Sequence, residues 1–168
     1  MQPVHITPQG ETDLQIDAID VRILKMLQKQ ADLSNQDLAE RVGTSTASCW
    51  RRVKALRESG ILGPAVRVVT PAKVGLGLDV FCYIRMRSQE RGMRASFERL
   101  IETQEDVIGC YSISGEWDYL LHILTHDVAS FEEALMQRLL DHEAIANSSS
   151  MFVLRRIKHS TAIPINPR

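Results

Sequence analysis

Cysteine is scarce in this sequence, with Cys49, Cys82 and Cys110 the only three among 168 residues. Their odd number and their spacing argue against a disulfide framework or a metal cluster and leave all three as reduced thiols. Long apolar runs are absent too. None reaches the roughly 18 residues of a membrane span, and the N-terminus lacks the basic region and apolar stretch of a secretory signal, so a cytoplasmic protein is expected. Signatures of catalysis are likewise missing: there is no Gly-rich phosphate loop, no nucleophile elbow and no nucleophile paired with a base. The acidic pairs Glu105-Asp106 and Glu132-Glu133 read as solvated neighbours. His122 and His126 fall in a strand and just beyond it rather than on one helical face, so they do not form a metal pair. The expectation is a protein that is not an enzyme and uses no cofactor.

What is present is ordinary in amount and uneven in placement. A hydrophobic content of 44% over 168 residues suits one medium domain or two small ones. The net charge of −1 argues against a uniformly basic nucleic-acid binder. The basic charge is nonetheless focused: "STASCWRRVKALRESG", Ser45 to Gly60, carries Arg51, Arg52, Lys54 and Arg57 against Glu58 alone. Residues 1–13, with Pro3, Pro8 and Gly10 and no periodicity, read as a flexible arm.

Asp17 is expected to cap a first helix, with Asp20 at its third position and Ile19, Ile23, Leu24 and Leu27 on one face, running to about Ala31. Ser34 caps a short second helix that Gly43 ends. The third restarts at Ser45. At 100° per residue Cys49, Val53 and Leu56 form its buried stripe, Ala47, Ser48, Arg51, Lys54 and Glu58 lie opposite, and Trp50 and Arg57 sit on the border. Two helices joined by a short turn, the second basic and small at its N-terminus, make a helix-turn-helix for a DNA major groove. Hydroxyls and free N–H groups around Ser45, Thr46 and Ser48 suit phosphates, and Arg51 and Lys54 suit base edges or backbone.

Beyond Gly60, "ILGPAVRVVTP" suits a small wing or a strand-like connector, and from Gly77 the pattern changes. "LDVFCYIRMR", "DVIGCYSI", "WDYLLHILT" and "SMFVLRRIK" read as strands; "MRASFERLIETQ" and "VASFEEALMQRLLDH" read as helices. The order βαββαβ is the ferredoxin-like unit. Val80, Cys82, Ile84 and Met86 alternate with Phe81 and Tyr83, and Trp117, Tyr119, Leu121 and Ile123 with Leu120 and Leu124. Both sheet faces are then apolar, and a second copy of the sheet, in a homodimer, is the economical cover. Cys82 and Cys110 are expected on neighbouring strands, as buried, unactivated thiols.

Several stretches together resemble the Lrp/AsnC, or feast/famine, transcription regulators of bacteria and archaea. They are "IDAIDVRILKMLQKQADLSNQDLAERVGTSTASCWRRVKALRESGIL", "TPAKVGLGLDVFCYI", "SISGEWDYLL" and "RRIKHSTAIPI", spread in the family's order over roughly residues 14–165. One departure is that the family often has proline where Ala47 and Ser48 stand. The resemblance implies an α+β chain: an arm over 1–13, a winged helix-turn-helix DNA-binding domain over 14–63, a linker over 64–77, a ferredoxin-like effector-binding and oligomerisation domain over 78–160, and a tail over 161–168. It implies double-stranded DNA as partner, contacted by Ser45, Thr46, Ala47, Ser48, Trp50, Arg51, Arg52 and Lys54. It also implies a free amino acid as effector, bound between C-terminal domains by Ser114, Gly115, Glu116, Trp117 and Asp118 with Met151, Phe152 and Val153, and homodimers that assemble further into octamers. Gly115 would let a ligand approach the backbone and Asp118 would receive its ammonium. Members regulating amino-acid catabolism, cysteine-responsive and branched-chain-responsive ones among them, are the most similar. The rival reading is a ligand-free protein that binds and bends DNA constitutively at the nucleoid, gaining affinity from several weak sites at once.

Overall fold

A computed structural model describes residues 16–134 and 139–166. The expected arm over 1–13 lies outside the described residues, as do positions 135–138 of the expected helix over 128–142. The described chain divides into two units: one runs to Arg67 and is joined by the residues from Lys158 on, and the other is Val68–Ile157.

The first unit is built on three helices: α1 (Ala18–Leu27), α2 (Asn35–Val42) and α3 (Thr46–Glu58). Each begins where a short polar side chain satisfies otherwise unpaired N–H groups. Asp17 accepts from the Ile19 and Asp20 N–H groups at 2.8 and 2.9 Å, while Asp20 accepts the Asp17 N–H at 3.2 Å, which closes a capping box. Ser34 and Ser45 cap α2 and α3 through the N–H groups of Asp37 and Ser48. Gly43, at φ +74°, turns the chain out of α2 in the left-handed conformation that glycine tolerates. Ile23, Leu24, Leu38, Ala39, Val42, Cys49, Val53 and Leu56 meet as one buried cluster. α1 stops earlier than Ala31, because its last turn tightens into an i→i−3 bond from the Lys29 N–H to the Met26 carbonyl. No strand forms over residues 61–70, so the stretch expected as a wing or strand-like connector is irregular chain with Val66, Val68 and Val69 exposed.

The second unit opens with a 3₁₀ turn, Pro71–Val74, and continues as β1 (Leu78–Met86), α4 (Arg91–Glu102), β2 (Val107–Ser112), β3 (Tyr119–Thr125), α5 (Val128–Ala134) and β4 (Ile145–Phe152). The strands form one antiparallel sheet in the order β2-β3-β1-β4, as the ferredoxin-like reading requires. Val80, Cys82, Ile84 and Met86 of β1 and Tyr119, Leu121 and Ile123 of β3 pack under Phe97 and Ile101 of α4 and Phe131 of α5. Phe81, Tyr83, Leu120 and His122 face the other way and are only half-buried, with Met151 and Tyr111 exposed beside them.

Three expectations are corrected by this topology. β1 and β2 are not neighbours: β3 lies between them, with both Cys82 and Cys110 opposite Leu121, so the two thiols stand two strand spacings, roughly 10 Å, apart. Cys110 is also exposed rather than buried, since β2 is an edge strand. The last strand lies earlier than "SMFVLRRIK" suggests. Polar Asn147 to Ser150 are in the ladder because β1 pairs with their backbone, and residues after Phe152 leave it.

Candidate functional site

On α3 the sequence stripe and the exposure agree: Cys49, Val53 and Leu56 are buried, while Ser45, Thr46, Ala47, Trp50, Arg51 and Lys54 are exposed and Ser48 is half-buried. Trp50 is 54% exposed, and the Lys54 ammonium lies 5.5 Å from its ring centroid. The ring and the ammonium are thus close enough for a weak cation–π contact at the exposed surface. Lys54 also pairs with Glu58 at 3.7 Å, an exposed i,i+4 contact of little energetic weight.

Arg52 departs from the expected DNA-contact set. Its Nη1 donates to Asp17 Oδ2 at 2.8 Å and to Asp20 Oδ1 at 2.9 Å, and its side chain is only 25% exposed. Asp20, which looks like an ordinary first-turn acid, is itself buried. The guanidinium thus ties the reading helix to the N-terminus of α1, and the Asp20 hydrogen bond raises its pKa. The Asp20 backbone N–H, and after it Arg52, hold the Asp17 carboxyl below the usual carboxylate range. Only a three-dimensional arrangement could have revealed this, because the partners lie 35 and 32 residues away.

In the second unit the expected effector loop is the β2–β3 hairpin turn. The Ile113 N–H donates to the Asp118 carbonyl and the Asp118 N–H to the Ile84 carbonyl, both at 2.9 Å, which seats the loop at the end of β1. Gly115, exposed at φ +114°, makes the turn in a conformation that side chains rarely adopt. No neighbouring atom lies where its Cβ would be, so the cost of Gly115→Ala is one of backbone conformation alone. We expect the unit to lose about 1–3 kcal/mol, read as a lower denaturation midpoint; an unchanged midpoint would show that the turn relaxes freely.

Asp118 does not offer a free carboxylate. Oδ2 accepts the Met86 N–H at 2.7 Å and Oδ1 accepts from Gln89 Nε2 at 2.6 Å, so it clips the loop to the end of β1 and the approach to α4. Asp118, expected to receive an ammonium, here positions the loop. The group that sequence reasoning missed is Arg85. It donates to Glu116 Oε1 at 2.7 Å, lies 5.1 Å from the Trp117 ring centroid, and has its Nε buried without a partner. Tyr83 stands beside Trp117 at 5.9 Å. A lone cation at an outward position of the otherwise apolar strand "VFCYIRM" was the available signal.

Met151, Phe152 and Val153 are not brought to that loop. Met151 pairs with Phe81, four residues along β1 from Arg85 and so roughly 14 Å away. Phe152 points to the helical side, edge-on to Phe131 at 5.5 Å, whereas Met151 lies on the open side. The Val153 N–H donates to the Asp79 carbonyl at 2.9 Å. Asp79 also accepts from His122 Nε2 at 2.7 Å and from Arg156 at 2.6 Å; burial opposes its charge, but these two donors prevail and hold its carboxyl below the usual range. No group of three His, Cys, Asp or Glu side chains suited to a metal occurs among the described residues.

An exposed basic helix in a helix-turn-helix frame, followed by a ferredoxin-like sheet carrying a glycine loop, defines a DNA-binding regulator with a ligand-binding domain. The comparisons agree. The pattern for winged helix-turn-helix DNA-binding matches residues 16–62, and that for the Lrp/AsnC ligand binding domain matches residues 79–163. The chain belongs to the Lrp/AsnC family of transcription regulators, a family of regulators and not of enzymes. The DNA-binding transcriptional activator DecR of Escherichia coli K12 is 32% identical over 150 residues, covering 89% of this chain and 99% of DecR. The glutamate uptake regulatory protein of Zymomonas mobilis is 30% identical over 150 residues, covering 89% and 91% of the two chains. A transcriptional regulator of Neisseria meningitidis, solved as its L-Met complex, superposes with a TM-score of 0.86 at 35% identity and covers 89% of this chain and 97% of its own. No helix among the described residues is long and apolar enough to cross a membrane.

Proposed function

We propose that this protein regulates genes of amino-acid metabolism by binding operators through α3, and that a free amino acid held between C-terminal units of a homo-oligomer modulates that binding. It acts at the nucleoid, in the cytoplasm. Ser45, Thr46, Ala47, Ser48, Trp50, Arg51 and Lys54 form the DNA face, with Arg52 withdrawn from it to hold α3 in place. The half-buried Phe81, Tyr83 and Leu120 favour a homodimer closed over the open sheet face, and further assembly to octamers is read by sedimentation. Two-fold symmetry then presents two reading helices to a near-palindromic site.

The observation that carries the effector reading is the Arg85–Glu116 ion pair beside Trp117 and Gly115. An amino acid is a zwitterion, and this pair offers one partner for each end: Arg85 takes the carboxylate and Glu116 the ammonium, with Trp117 as an apolar wall. Ser114 and Asp118 frame the loop. Met151, Phe152 and Val153 lie too far along the sheet to join it within one protomer, which favours a site completed by another copy. The L-Met complex of the Neisseria relative supports an amino-acid effector.

The test is thermal unfolding of the protein against each standard amino acid at millimolar concentration, followed by operator binding for any hit, on a site selected from random duplexes. A ligand at about 100 times its Kd adds about 2.7 kcal/mol. We expect one selective shift that changes DNA affinity in wild type and vanishes in Arg85→Ala. Silence across the panel with DNA still bound would replace this reading with the constitutive DNA-bending one.

A further inference from the structure

Residues 158–166 do not hang free: they belong to the DNA-binding unit. The contact is specific. Gln28, at the end of α1, accepts the Ile163 N–H at Oε1, 2.7 Å away, and donates from Nε2 to the Ile163 carbonyl at 3.2 Å, so one side-chain amide pairs both main-chain groups as a neighbouring strand would. The Ile163 side chain stays 67% exposed, while Ile165 packs against the helical core. Between the tail and the helices lies a partly open cavity of about 490 Å³ whose lining includes Leu24, Leu27, Arg57 and Leu62, so the tail forms one wall of it. The same chain is fastened on its other side at Asp79, which receives the Val153 N–H and the Arg156 guanidinium. Six residues, 157–162, separate the Arg156 contact from the Ile163 contact. Seven Cα steps span at most roughly 25 Å at full extension, so the two contacts are joined by a short tether.

We propose that the groove formed by α1 and the turn after α3 is a docking surface for the chain's own C-terminal segment, and that this segment is a strap through which the ligand-binding unit acts on the DNA-binding unit. The Gln28 clip is the releasable end, because it is made by one side-chain amide and one isoleucine over a cavity. The Asp79 clip is the firm end, on a strand at the centre of the sheet. Docking stands on the contacts alone; its use in effector response rests on the amino-acid reading above.

The experiment is amide hydrogen exchange on the full-length protein and on Gln28→Ala, Arg156→Ala and a chain lacking residues 159–168, with operator binding measured on each. Removing the tail, or its Gln28 partner, is expected to speed exchange in α1 at least tenfold while exchange in β1 and β3 stays unchanged. Arg156→Ala, remote in sequence and in the other unit, is expected to speed exchange in α1 as well. Unchanged exchange in α1 after truncation would show that the tail is undocked in solution and overturn the proposal. Faster exchange after truncation but not in Arg156→Ala would leave a docked tail that couples nothing, and would overturn it equally. Where wild type answers to a standard amino acid, the truncated chain should bind the operator yet lose that response, and a retained response would count against the strap. If wild type answers to none of them, the amino-acid reading falls and the exchange data alone decide the strap.

Discussion

Replacing Arg52 with alanine is expected to lower the stability of the DNA-binding unit by about 2 kcal/mol, the value of a hydrogen bond to a charged group. It is also expected to weaken operator binding several-fold without changing how that binding responds to salt. The stability loss follows from what remains behind: Asp20 is buried, and without Arg52 its Oδ1 loses its cationic partner. The affinity loss follows from geometry, since the guanidinium joins the middle of α3 to the cap of α1. The salt response separates this role from phosphate binding. Each phosphate contact removed lowers the slope of log K against log salt by about one, so Arg51→Ala, at an exposed position, should change slope or specificity and cost about 1–3 kcal/mol, whereas Arg52→Ala should not touch the slope. A reduced slope in Arg52→Ala would return that residue to the DNA face. Acid offers a parallel check. The Asp17 carboxyl is held below its ordinary value near 3.8, so its contribution is complete above that value and is lost only as pH falls through the lower folded one. Nothing should change between pH 5 and 8 on this account.

Phe97→Ala is expected to be the most damaging single truncation in the ligand-binding unit, at about 3–5 kcal/mol. Phe97 is fully buried and packs on Tyr119 at 4.8 Å between their ring centroids, at the meeting of α4 with β3. Stabilities of whole domains run to about 5–15 kcal/mol, so the variant is left near the threshold of unfolding. The damage should fall mainly on that unit, because the two buried clusters have no residue in common. The two tryptophans report the units separately: Trp50 stands in α3 and Trp117 in the hairpin loop. With each tryptophan replaced in turn, the Trp117 signal should shift to lower denaturant in Phe97→Ala by much more than the Trp50 signal, which moves only as far as losing the Asp79 end of the strap takes it. Equal shifts would mean that the units unfold as one.

Local features were legible before the structure. Asp17, Ser34, Ser45 and Gly43 each act on N–H or carbonyl groups within a few residues, and the Cys49, Val53, Leu56 stripe needs only helical periodicity. Strand existence was legible from short β-prone apolar runs, since β1 and β3 are apolar on both faces. Register was not. β4 is an edge strand held by backbone pairing, so its polar Asn147 to Ser150 carry no hydrophobic signal, and the apolar residues following it drew the reading downstream. The roles of charged side chains were hidden most deeply. Arg52, Asp118 and Arg85 look interchangeable with solvated charges until Asp20, the Met86 N–H and Trp117 are placed beside them, each about 30 residues away in sequence. The tail offers no periodicity at all, and its Gln28 partner lies 135 residues upstream.

That a single unit is assembled from both ends of the chain has a consequence for synthesis. At about 5–20 residues per second, the ribosome takes roughly 5–20 s to travel from Leu62, the last residue packed on the helical cluster before the sheet, to Ile165, which packs on the same cluster. Three helices with local contacts fold in microseconds to milliseconds. The DNA-binding part therefore forms early, with Leu24 and Leu27 facing an open groove, until the ligand-binding part has been made and residues 163–166 follow. A chain without residues 159–166 keeps that groove apolar and uncovered.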